Sequence, residues 1–103
     1  MAYDEALAAR IRARVGDAVE KKMFGGLAFL VGGNMAVAAS GRGGLLVRVD
    51  PAEGARLETT RAEPMEMRGR QMAGWLRVEV RTDEELAEWV DRGVAYARML
   101  PSK

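Results

Sequence analysis

Residues 21–50, KKMFGGLAFLVGGNMAVAASGRGGLLVRVD, decide the fold. Apolar, strand-prone runs are cut there by Gly25-Gly26, by Gly32-Gly33-Asn34 and by Gly41-Arg42-Gly43-Gly44. Residues 19–31 are strand-like. The glycine pair leaves two forms open, one bent strand or two short ones, because glycines inside a strand mark bulges and close backbone approaches. Gly32-Gly33-Asn34 supplies the residues that tolerate positive φ in a tight hairpin turn. Residues 35–40 make the next strand, and after the second glycine cluster residues 45–49 make the third. Connections this short exclude a parallel crossover, so this part of the sheet is antiparallel. The stretch carries no histidine, no cysteine and no acidic residue before Asp50, which suits a scaffold better than a catalytic centre.

On the N-terminal side, residues 4–15 read as a helix. Tyr3, Leu7, Ile11 and Val15 recur every four residues, acidic residues come first and Arg10, Arg12 and Arg14 follow, in keeping with the helix dipole. Gly16 is the natural stop. On the C-terminal side, Asp50-Pro51-Ala52-Glu53 has the form of a capped helix start, and the helix should end near Thr59-Thr60. Residues 64–68 alternate as a strand, residues 69–74 read as a loop, and residues 75–80 alternate again with Leu76, Val78 and Val80 toward the core. Thr82-Asp83-Glu84-Glu85 is a second capping box. Its helix runs to about Leu100 with Leu86, Trp89, Val90, Gly93, Ala97 and Leu100 on one stripe. Mid-helix Gly93 points to close packing against a neighbour. The expected architecture is α+β, a two-layer sandwich in the order α-βββ-α-ββ-α, with a mainly antiparallel sheet and all helices on one face. The opposite face is left to solvent or to a partner.

A chain of 103 residues is one domain, 1–103, large enough for a core without staples. With no cysteine and no histidine, disulfides, thiolate nucleophiles, zinc ribbons and the commonest general base are all missing. Sixteen Lys/Arg against fifteen Asp/Glu argue against a strongly basic nucleic-acid binder. No secretion signal opens the chain, and no apolar run approaches the roughly 20 residues that span a bilayer, so a cytoplasmic, membrane-free protein is expected.

The motifs Lys22-Met23-Phe24-Gly25-Gly26-Leu27-Ala28-Phe29, Arg42-Gly43-Gly44-Leu45-Leu46-Val47-Arg48, Pro64-Met65-Glu66-Met67-Arg68-Gly69 and Gly74-Trp75-Leu76 lie in this element order. With Trp89-Val90 and the run from Gly93 to Ala97, the chain resembles the TfoX (Sxy) N-terminal domain family, and in particular its short stand-alone bacterial members. The likeness runs from about Tyr3 to Leu100. It implies the two-layer fold also seen in secretion chaperones, and no established catalytic reaction. It also implies a regulatory role in DNA-uptake competence alongside a transcription factor of the cyclic-AMP receptor type.

Several residue clusters bear on function. Ser40-Gly41-Arg42-Gly43-Gly44 could cradle an anion in a backbone nest, with Lys22 and Arg48 nearby, although it matches neither the Walker pattern nor the dinucleotide fingerprint. A glycine-rich hairpin turn is the plainer account. Arg68, Arg70, Arg77 and Arg81 with Trp75 could form a basic patch with one stacking aromatic. Five arginines against three glutamates across residues 61–81 fit cross-strand pairs on a solvated face equally well. Met65, Met67 and Met72 suit a partner groove or core filling. Glu84, Glu85, Glu88 and Asp91 read as a solvated helix face before a cation site, and Lys21-Lys22 as edge-strand lysines that discourage aggregation. The leading expectation is a non-enzymatic, TfoX-like regulatory or protein-interaction domain, with no cofactor, no metal and no catalytic residue, working with a protein partner or as a homodimer. The interaction or anion candidates are Lys22, Arg42, Arg48, Arg68, Arg70 and Trp75. The alternatives are a nucleic-acid-binding module using Arg68 through Arg81, and a binder of small anions or phosphorylated metabolites at the glycine turns.

Overall fold

The computed structural model describes residues 3–16, 18–23, 25–41, 43–57, 62–67 and 69–101, and its described side chains exclude those of residues 55, 65–67 and 70–73. The expected helix end at Thr59-Thr60 lies outside the described residues. Helix α1 (Glu5–Val15) starts where the Asp4 carboxylate accepts the backbone N–H groups of Ala6 and Leu7 at 2.9 and 3.1 Å. These are orphan donors of the first turn, so the cap sets the start. Four strands follow: β1 (Val19–Met23), β2 (Gly26–Val31), β3 (Asn34–Ala39) and β4 (Leu45–Arg48). Residues 19–31 are thus two short strands. Gly25 turns the chain at φ 75°, which a residue with a Cβ rarely adopts.

Helix α2 (Pro51–Leu57) begins with Pro51 in the first helical position and the Asp50 carboxylate accepting from Ala52 N–H at 2.9 Å. Next come β5 (Ala62–Met67) and β6 (Arg70–Val78). Of the loop expected over residues 69–74, only Gly69 is a turn and residues 70–74 are strand. Pairing resumes at once, Met67 opposite Arg70, and Gly74 is taken up as a bulge at φ 83°. Pro64 faces Leu76 while Met65 faces Met72, so residues 73–75 of β6 have no counterpart in β5. Helix α3 (Asp83–Met99) opens on Thr82, whose hydroxyl accepts the Glu85 N–H at 3.1 Å.

The strands form a six-stranded sheet in the order β1-β2-β3-β4-β6-β5, with every adjacent pair antiparallel. One face meets the helices. Leu7, Ala8 and Ile11 of α1 and Leu86, Val90, Val94 and Ala97 of α3 join Leu27, Phe29, Val37, Leu45, Val47, Leu76 and Val78 in one core, and Leu57 of α2 packs on the same side. This is the two-layer α+β arrangement that amphipathic helices over one sheet face produce. The register shifts between Phe29 and Leu30 opposite β3, so that Ala36 and Val37 both enter this core.

Ion pairs fasten the helical layer at its rim. Arg10 reaches Asp83, and Arg14 forms a two-pronged pair with Asp91, tying α1 to α3. Arg12 grips Glu20 in the same way, fixing α1 to the edge strand. Both carboxylates are held below their ordinary range, first by the arginine hydrogen bond and then by its charge, against an opposing desolvation effect. Among the described residues no helix is long and apolar enough to cross a membrane.

Candidate functional site

The face of the sheet that the described helices leave uncovered has its own small apolar cluster. Strand alternation sends Ala28 of β2, Ala38 of β3 and Leu46 of β4 to that side, where they are only 1%, 6% and 5% exposed. Met23, Leu30, Met35 and Trp75, all half-buried, pack around them. The long side chains shelter the small ones and stand over the centre of the face as a low apolar ridge. Pairing aligns Val19 with Leu30 and Leu30 with Met35 along that ridge. Val19, 68% exposed, continues it out to the sheet edge.

Charged groups frame this apolar patch. The Arg48 guanidinium lies over the Trp75 ring, 5.7 Å from its centroid, and the two residues are register partners in β4 and β6. Arg77 pairs with Leu46 on one side and Glu63 on the other. Its Nη1 donates to Ser40 Oγ at 2.8 Å and to the Gly43 carbonyl at 2.9 Å, clamping the glycine turn from β6. Lys21 of β1 sits opposite Ala28 at the far edge.

The sequence candidates divide accordingly. Arg48 and Trp75 are brought together. Lys22 pairs with Leu27, whose side chain is in the helix-covered core, so Lys22 stands on the other face, exposed, away from them. Arg42 and Arg68 lie outside the described residues, and of Arg70 only the backbone, at the start of β6, is described. The side chains of Met65, Met67 and Met72 are likewise outside the description. The anion nest is not poised for a ligand at its described positions: the Ser40 N–H donates to the Gly44 carbonyl and the Gly43 N–H to the Ser40 carbonyl. A cation, Arg77, meets the carbonyl and hydroxyl oxygens there. Arg81 faces Glu79 at 3.2 Å, so the Arg77 and Arg81 side chains are both engaged within the chain. In the acidic run on α3, Asp91 pairs with Arg14 and Glu88 with Arg92.

Residues overlooked as site members are Leu30, Met35, Ala38 and Leu46. Their signal was present in the sequence. In residues 27–31 and 35–39 both alternate positions are apolar, so neither face of these strands is designed for plain solvation.

No curated protein and no solved structure matches the chain. Residues 10–97, however, match the TfoX N-terminal domain. The match runs from the second half of α1 through all six strands into the last turns of α3, and the chain belongs to the TfoX N-terminal domain family.

Proposed function

We propose that this chain is a non-enzymatic regulatory domain of the cytoplasm that works by protein contact through the helix-free sheet face. The observation that carries the reading is the second apolar cluster, Ala28, Ala38 and Leu46, with Leu30, Met35 and Trp75 half-buried around it. A monomer gains little from lining its solvated sheet face with apolar residues, whereas a contact surface needs them. Trp75 beneath Arg48 has the make-up of an interface anchor, an aromatic with a cation stacked on it. The absence of histidine and cysteine from the whole chain favours association over chemistry. Family likeness suggests a role in transcriptional control of competence, with a transcription factor of the cyclic-AMP receptor type as the partner class.

The test is selective capture from native extract by the purified chain. A specific partner retained by wild type and by Lys22→Ala, on the helix side, should be lost with Trp75→Ala and Met35→Glu. Equal capture by all four proteins, or none above background by a chain that is also strictly monomeric, would defeat the proposal.

A further inference from the structure

One transverse row of the helix-free face goes further, on the premise that this face is the contact surface. Strand register sets Lys21, Ala28, Ala38, Leu46, Arg77 and Glu63 side by side, one from each strand. The row is unlike at its two ends, with exposed Lys21 on edge strand β1 and exposed Glu63 on edge strand β5. It is also unlike at its middle, where small Ala38 stands next to large Leu46. The adjacent row repeats the asymmetry: Val19, Leu30 and Met35 come from β1 to β3, while Arg48 and Trp75 come from β4 and β6.

We propose that the occupant of this face is a second copy of the chain, stacked sheet on sheet about a two-fold axis that runs parallel to the strands between β3 and β4. That axis maps each row onto itself with its direction reversed. Lys21 of one copy then meets Glu63 of the other at both ends of the interface. Half-buried Leu30 lies against Trp75, and the two layers close over Ala28, Ala38 and Leu46, which each copy already buries. An axis perpendicular to the strands and centred on this row would instead set Lys21 on Lys21, Arg77 on Arg77 and Glu63 on Glu63, a repulsion at each of its three charged positions. Charge complementarity therefore selects both the partner and the axis. The lysines of β1 serve a second purpose here, since they guard the strand edge against pairing while Lys21 presents a cation to the opposing sheet.

The decisive experiment exchanges the two exposed charges, neither of which the core depends on. Sedimentation equilibrium should find wild type dimeric. Lys21→Glu or Glu63→Lys alone should raise the dimer Kd about tenfold or more, because symmetry turns two rim pairs into repulsions. The double exchange should restore association. Because the chain has no cysteine, a Lys21→Cys/Glu63→Cys variant adds a geometric reading. Within one copy these positions are five strand spacings apart, about 24 Å, whereas stacked sheets are about 10 Å apart. A bis-maleimide of roughly that shorter span should link copies in the double variant and in neither single one. A wild type that stays monomeric at millimolar concentration, or a Lys21→Cys protein that links to itself, overturns the proposal. Monomeric protein that still loses a captured partner with Trp75→Ala would reject the second copy and leave the contact reading standing.

Discussion

Replacing Gly93 by alanine sets two effects of known sign against each other. Alanine improves helix propensity by about 1 kcal/mol over glycine in a helix interior. At Gly93, however, an added Cβ would lie 2.6 Å from the Ala36 carbonyl oxygen, 2.8 Å from Val37 Cγ1 and 3.3 Å from Val47 Cγ1. Ordinary contact begins near 3.4 Å, and the nearest of these atoms is backbone that cannot rotate aside. Helix α3 must therefore withdraw from β3 by something approaching 1 Å, loosening Val90, Val94 and Ala97 along with it, and overpacking of this kind costs about 1–3 kcal/mol. The clash should win, leaving a net loss of up to about 2 kcal/mol, or a fall in Tm of up to roughly 15 °C for a domain of this size. Thermal and urea unfolding followed by circular dichroism measure it. Ala95→Gly, at an exposed position of the same helix, calibrates the propensity contribution alone. If Gly93→Ala is as stable as wild type or more so, α3 does not approach the sheet as closely as described and the packing argument fails.

Other outcomes follow from the same geometry. Phe29→Ala, emptying a site only 1% exposed at the centre of the helix-covered core, should cost about 3–5 kcal/mol and leave a substantial unfolded fraction in urea titrations. Arg77→Met should keep the stem but release Ser40 Oγ and the Gly43 carbonyl; a loss of about 1–2 kcal/mol is expected, seen as a lower urea midpoint. Glu20 and Asp91 are shifted below their ordinary values of 4.5 and 3.8 by Arg12 and Arg14. Their stabilisation is therefore complete above those values and disappears as acid carries the pH down through the lower folded-state values. A Glu20→Gln/Asp91→Asn protein should show a shallower loss of Tm on acidification than wild type, and a modest one, since both pairs are solvent-exposed and screened.

Local chemistry was legible where one or two residues carry it. Asp50 and Thr82 cap their helices as the sequence indicates, because a cap is settled within three residues, while Asp4, read as the first helical residue, is the cap of α1. Gly93 likewise pointed to close packing, and it does meet β3. What depended on register was hidden. Residues 69–74 looked like a loop because glycine punctuation is the same for a turn and for a bulge; only pairing with β5 separates them. The parity of Lys22 was equally invisible, since a single step along β1 moves a side chain from one face to the other. Arg48 and Trp75, far apart in sequence, met only because β4 and β6 are neighbours across the β5 hairpin. The apolar character of both faces of β2 and β3 was readable, and it is the part of the candidate site that one sequence does announce.

The bulge at Gly74 divides the last hairpin into two zones. Leu76 through Val78 are paired on both flanks, by β4 and by β5, whereas Trp75 is held by β4 alone and the bond from Val49 N–H to the Gly74 carbonyl, 2.8 Å, marks the end of that β4-side support. Arg70 through Met72 answer to β5 alone. Amide deuteration should follow this boundary: Leu76 and Val78 should exchange only with global unfolding, while Gln71 and Met72 escape through partial opening at lower free energy. The far end of the ribbon could then open and reclose while the platform beneath it stays folded.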